Sequence, residues 1–186
     1  GTSHNMNTNE VVANRAIELL GGRRGDYRLV HPNDHVNMAQ SSNDFFPTAV
    51  KLACLALVKR LLPELRELEA ALSSKGNEFD GILKSGRTHL QDAVPVRLGQ
   101  EFTAYATATG KAATRLEHAC HEVEEINLGA TALGTGINTH PRYREQVATV
   151  LRALTGFNLR PPEDLFEITQ SMGSLATLST SLKLLA

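Results

Sequence analysis

The chain has 186 residues, 41% of them hydrophobic and 21% charged, enough for one substantial core and unlike a disordered or low-complexity polymer. A formal net charge of −1, with basic pairs only at Arg23-Arg24 and Lys59-Arg60, excludes the dense positive field that a nucleic acid or an anionic membrane surface demands. A small anionic ligand remains open.

In chain order, "NEVVANRAIELLGG" (9–22) spaces Val11, Val12, Ala16, Leu19 and Leu20 as a short helix that stops on Gly21-Gly22. Residues 23–43 are polar and irregular, with Pro32 among Asn, Asp, His and Ser, and read as a long loop of the kind that is usually functional when ordered. A helix follows from Asp44 to Leu62, with Pro47 near its first turn. It is apolar on almost every side over 45–62, which predicts that protein surrounds it. Pro63 should kink or restart it, and "PELRELEAALSSKGNEF" continues as an amphipathic helix.

A short extended piece, "GILKSG", leads to "GRTHLQDAVPVRLGQEF" and then to one helix over 98–126, roughly 40 Å long at 1.5 Å per residue. Its apolar residues recur at helical spacing (Leu98, Phe102, Tyr105, Ala112, Leu116, Ala119, Val123 and Ile126), and its alanines allow close helix approach. "GATALGTGINTHP" reads as a glycine-rich loop, "PRYREQVATVLRALTG" as a helix closed by Gly156, and the chain after Pro161-Pro162 as one last helix. That helix meets no stop signal and the first residue is not Met, so an internal piece of a longer chain is expected. Cys54 and Cys120 sit in apolar helical patterns and read as reduced core thiols. With no apolar run of bilayer length and no signal-peptide pattern, the expected setting is the cytoplasm. The class is mainly α, a bundle of long helices whose all-round apolar member favours a core shared between subunits.

Three polar islands interrupt the pattern: "GTSHNMN" (1–7), "HPNDHVNMAQSSND" (31–44) and "GRTHLQD" (86–92). Each is expected just before a helix, where unsatisfied N–H groups and the positive end of the macrodipole receive carboxylate or phosphate. The plainer alternatives are that Ser41, Ser42, Asn43 and Asp44 only cap the following helix, and that His89 is a structural imidazole. His118 and His121 lack the cysteines or carboxylates of a zinc set. His31 and His35 are four apart but sit in a proline-containing loop, so no metal site is expected. "GTGIN" lacks the phosphate-loop pattern.

Taken together and in order, "GTSHNMNTNEVVANRA", "HPNDHVNMAQSSND", "GRTHLQDAVPVRLGQEF" and "GATALGTGINTHP" resemble the fumarase/aspartase superfamily over the whole chain, in particular class II fumarases and aspartate ammonia-lyases. The resemblance implies a long-helix bundle whose central helices pack into a homotetrameric multi-helix core, with 1–43 ending an N-terminal domain and 44–186 forming part of the central domain. It implies reversible trans-elimination from a C4 dicarboxylate to fumarate with no organic cofactor, at active sites shared by three subunits. Thr2, Ser41, Ser42, Asn43 and Thr88 then match substrate-binding positions, and His89 the catalytic imidazole that holds a substrate carboxylate. Removing a proton next to a carboxylate makes that group doubly negative, which is the chemistry that a cluster of donors placed in advance favours. Arg28, His31, Asn33 and Asp34 match a second dicarboxylate site.

The family's mobile G-S-S loop and its K-x-N motif have no counterpart in these residues, so the 186 residues alone are expected to be inactive. "GTS", "GDY" and "AVPVRLGQEF" favour aspartate ammonia-lyase; "QSSND", "NTHP" and the second-site residues favour class II fumarase. His4 fits neither pattern, and Ala39 stands where a serine or another small residue is expected. The first reading is ammonia elimination from L-aspartate, the second the interconversion of L-malate and fumarate, and the third a non-catalytic helical scaffold of the same superfamily.

Overall fold

A computed structural model describes residues 1–186. It contains helices α1 (Thr2–Leu19), α2 (Ser42–Glu78), α3 (Leu98–Val123), α4 (Tyr143–Thr155), α5 (Leu165–Gln170) and α6 (Gly173–Leu185), one π turn (Pro32–Val36), and a single hairpin of strands β1 (Leu83–Thr88) and β2 (Gln91–Arg97). The mainly α class and the long helices agree with the sequence. Cys54 and Cys120 are not joined in a disulfide. No helix is long and apolar enough to cross a membrane.

The chain forms two compact units, Gly1–Leu55 with Val123–Ser174, and Ala56–Glu122 with Leu175–Ala186. The boundary at 43/44 expected from the resemblance falls inside the first unit, within the first turn of α2.

In the first unit, α1 begins seven residues earlier than the apolar spacing predicts, so the island "GTSHNMN" is helical rather than a lead-in. Its Thr, Ser and Asn residues are mediocre helix formers. The helix forms because its inward face is Asn5, Asn9, Ala13 and Ile17, four residues apart and all buried. Val11, Val12, Leu19 and Leu20, expected on that face, are exposed instead. The predicted stop is a Schellman closure: Gly21 lies at φ 78°, Gly21 N donates to Glu18 O (3.0 Å) and Gly22 N to Ile17 O (2.9 Å).

The N-terminal half of α2 buries a polar stripe, Asp44, Thr48 and Lys51. Thr48 Oγ1 donates to Asp44 O (2.8 Å) and accepts from Asn127 N (3.1 Å), Lys51 Nζ donates to Glu125 O (2.8 Å), and Asn127 Nδ2 donates to Ile168 O (2.7 Å). These bonds stitch residues 125–127 to α2 and, through Ile168, to α5, and give buried polar groups the partners they need. The two prolines sit inside one helix. α2 starts at Ser42, so Pro47 lies in its second turn, and the helix runs through Pro63 without restarting. Each proline removes one helical hydrogen bond, a loss that a helix of 37 residues absorbs. The single last helix is in fact two, α5, capped by Asp164 through the N–H groups of Phe166 (2.7 Å) and Glu167 (2.9 Å), and α6 after an extended Ser171.

In the second unit, α2 and α3 approach through small residues. A Cβ on Gly76 of α2 would lie 3.3 Å from the Gly99 O and 3.3 Å from the Thr103 N of α3, and Ala106, Ala112, Ala113 and Ala119 are buried along α3. Arg66 bridges Glu69 and Glu117 (2.9 Å each), and Phe79 packs edge-on against Phe102 at 5.1 Å. The stretch read as a lead-in to α3 is the antiparallel hairpin, with Thr88 opposite Gln91 and Arg87 opposite Asp92. Its base is tied by Leu98 N to Ile82 O (2.9 Å) and by Arg97 Nε to Asp80 Oδ1 (2.9 Å).

Candidate active site

Within the first unit, the start of α1, the start of α2 and the loop after α3 converge on a cleft of about 400 Å³ lined by Thr2, Asn5, Met6, Asn37, Ala39, Gln40, Ser41, Ser42, Thr131, Ala132, Ile137 and Asn138. The polar groups among them are all hydroxyls and amides. A lining of neutral donors at a helix N-terminus suits an anion, because the donors need not be ionised to hold it and the helix end adds positive potential.

The start of α2 divides the work of capping and binding. Ser41 Oγ accepts from Asn43 N (3.2 Å), and Asp44 Oδ1 reaches back to Ser41 N (2.9 Å), a reciprocal capping arrangement. Ser41 and Asp44 thus cap the helix, and Ser41 lines the cleft as well. Ser42 is left to the cleft, where its Oγ shares a hydrogen bond with Thr2 Oγ1 at 3.3 Å. That pair also borders a neighbouring cleft with Gly1, Asn43, Phe46, Pro47 and Thr169.

The opposite wall is held by two long-range bonds. Asp44 Oδ2 accepts from Thr131 N (2.8 Å), and Asn43 Nδ2 donates to Ala132 O (2.8 Å). Asp44 is fully buried. Burial pushes its carboxyl above the ordinary value, against the opposing effect of backbone N–H groups at Ser41, Thr131, Gly129 and Phe45. Ala39, Thr131 and Asn138, all lining the cleft, adopt left-handed φ values of 61°, 59° and 65°. Such conformations cost a non-glycine residue free energy and persist where surrounding contacts impose them.

Of the sequence-predicted residues, Thr2, Ser41 and Ser42 line this cleft and Asn43 borders the adjoining one. Thr88 and His89 stand on the hairpin of the second unit, exposed, and no residue of that unit lines the cleft. His89 and Leu90 are the two turn residues, at φ 50° and 62°, the positive values that a tight two-residue hairpin turn requires and that usually call for Asn-Gly. The third island is therefore a hairpin tip and not a helix start, and only the island at 31–44 precedes a helix as expected.

Arg28 grips Asp26 with both arms (2.8 and 2.9 Å) and holds that carboxyl below its usual range. His31 Nδ1 caps the π turn, accepting from Asn33 N and Asp34 N at 3.2 Å each and lying 3.4 Å from Asp34 Oδ2. These four lie together on the loop but outside the cleft. No group of three or more His, Cys, Asp or Glu is placed to hold a metal ion. Sequence reasoning missed Asn5, Gln40, Thr131 and Asn138; all four lie within the motifs named above, but only burial and chain path single them out.

The long helices and the cleft at the head of α2 accord with the fumarase/aspartase superfamily, and the chain belongs to that family: the family model described as Lyase matches residues 1–186. It is 45% identical over 183 residues to the aspartate ammonia-lyase of Bacillus subtilis, covering 98% of this chain and 38% of that protein. It is 52% identical over 187 residues to the class II fumarate hydratase of Ralstonia nicotianae, covering 100% of this chain and 41% of that protein. The crystal structure of fumarate lyase:delta crystallin from Brucella melitensis bound to cobalt superimposes with a TM-score of 0.95 at 48% identity, over 98% of this chain and 40% of that one. The chain thus spans about two fifths of the length of the relatives it matches.

Proposed function

We propose that the protein eliminates ammonia reversibly from L-aspartate to give fumarate, as a carbon–nitrogen lyase acting on a small dicarboxylate without an organic cofactor. The observation that carries this reading is the Thr2–Ser42 pair at the head of α2, inside a cleft of neutral donors. In the reaction a base takes the C3 proton, the electron pair forms the C2–C3 double bond, and ammonia leaves C2. The carboxylate next to C3 carries an extra negative charge in between. Thr2, Ser41, Ser42 and Asn43 are assigned to hold substrate carboxylates there, and donors fixed in advance lower the barrier because they need no reorganisation as charge develops.

Thr88 and His89 complete the proposed site from the hairpin tip. Their exposure suits side chains delivered to a site on another subunit, and the reading includes a cytoplasmic homotetramer whose central helices share one core. In it, 1–43 close the N-terminal domain and 44–186 belong to the central one. Arg28, His31, Asn33 and Asp34 are assigned to a second dicarboxylate site, where a diacid competes with Asp26 for the Arg28 guanidinium.

A second reading, interconversion of L-malate and fumarate by a class II fumarase, is supported by the 52% identity to the Ralstonia nicotianae fumarate hydratase. The test gives the full-length protein L-aspartate and L-malate in turn and follows fumarate absorbance. Fumarate from L-aspartate alone is expected; fumarate from L-malate alone replaces the first reading with the second; fumarate from neither leaves a non-catalytic scaffold.

A further inference from the structure

Asn5 lines the cleft at only 1% exposure, and its Nδ2 has no hydrogen-bond partner in the protein. A buried amide donor without a partner costs free energy unless something outside the chain satisfies it. One turn further along the same face, Asn9 is buried at 3% with its Nδ2 likewise unpartnered, but it does not line the cleft. The two asparagines share helix, face and burial, and only Asn5 meets the space where a ligand fits.

We infer that Asn5 is a substrate-recognition residue, its Nδ2 donating a hydrogen bond to one carboxylate of the diacid held beside Thr2 and Ser42. The inference rests on the proposed dicarboxylate reading of this cleft. An amide is suited to that task because it is a donor at every pH and brings no charge into a buried position. Placed on the second turn of α1, three residues after Thr2, it presents its donor on the same side of the helix as the threonine hydroxyl. Thr2 and Asn5 then form a two-point grip set by helical geometry.

The experiment uses the full-length protein and titrates succinate and succinamate, its monoamide, into wild type, Asn5→Ala, Asn5→Asp and Asn9→Ala by calorimetry, with a thermal melt of each. Asn5→Ala is expected to weaken succinate by at least about tenfold, while Asn9→Ala shifts the melting temperature and leaves succinate affinity within about twofold. Asn5→Asp, nearly isosteric, replaces a donor by a charged acceptor. It is expected to lower the ratio of succinate to succinamate affinity by at least about tenfold, because it repels carboxylate and accepts from an amide. An unchanged ratio in Asn5→Asp overturns the assignment even if Asn5→Ala fails to fold. If wild type binds no succinate, the dicarboxylate reading fails and takes this inference with it; if wild type binds and all variants match it, the inference alone fails.

Discussion

Asp44 and Thr131, 87 residues apart in sequence, are joined by a bond of 2.8 Å from the Thr131 backbone N–H to Asp44 Oδ2. Because Asp44 Oδ1 also holds Ser41 N at 2.9 Å, one buried carboxylate fixes both walls of the cleft. An asparagine there offers only one acceptor where two N–H groups converge. Asp44→Asn is therefore expected to lower unfolding stability by about 1–3 kcal/mol, the cost of an orphaned buried donor, and to raise KM as the loop at 131 loosens. Burial raises the folded-state pKa of this group above its ordinary value of 3.8, so the folded protein holds the proton more tightly than the unfolded one. That contribution to stability is complete below pH 3.8 and fades as pH rises through the folded value. Denaturant midpoints measured across acid pH should show this decline in wild type and lose it in Asp44→Asn.

Lys51 shows the opposite sign. Its ammonium is buried, and burial lowers its pKa from 10.5 despite the opposing charges of Glu125 and Glu167. Between the lowered folded value and 10.5 the unfolded chain binds more protons, so stability should rise with pH across that alkaline window. Lys51→Met should abolish the rise, as read from denaturant midpoints up to the alkaline limit.

At the hairpin tip, turn chemistry can be separated from the proposed catalytic role of His89. Leu90 is 97% exposed at φ 62°, so Leu90→Gly should stabilise the full-length protein by about 1 kcal/mol through relief of the left-handed strain. His89, at φ 50°, tolerates Asn, which adopts that conformation readily. His89→Asn should leave the melting temperature near that of wild type while kcat falls by about 100-fold or more. A fall in both would make the imidazole structural.

Thr2 is exposed and Ser42 only partly buried, so in the proposed site their hydroxyls are expected to matter for the ligand and hardly for the fold. Thr2→Val and Ser42→Ala should each weaken binding of a dicarboxylate about tenfold, as expected for a hydrogen bond to a charged group, with little change in unfolding midpoint.

Much of this organisation was legible in the sequence because it rests on local chemistry. The stop at Gly21-Gly22, the left-handed cap at Gly156 and the glycine-rich loop at 129–141 follow from residue types and order, whereas Thr2 was singled out beside Ser41 and Ser42 only through the family resemblance. Features decided by tertiary contact were not legible. The inward face of α1 reads as Asn, Asn, Ala, Ile, so a search for apolar spacing starts the helix too late and picks its outer face. The hairpin escaped because Arg87, Thr88, Gln91 and Asp92 lack strand-like alternation and the turn carries His-Leu in place of Asn-Gly. Asn5 was hidden inside a quoted motif, because nothing local distinguishes an amide facing a cleft from one facing water.

The central claim is that the head of α2, with Thr2 and Asn5 from α1, grips a small diacid. A crystal structure of the full-length protein soaked with succinate tests it most directly. The account predicts a succinate carboxylate within hydrogen-bonding distance, about 3.2 Å or less, of Thr2 Oγ1, Ser42 and Asn5 Nδ2. Succinate bound elsewhere, with these three side chains touching only protein and solvent, would contradict it.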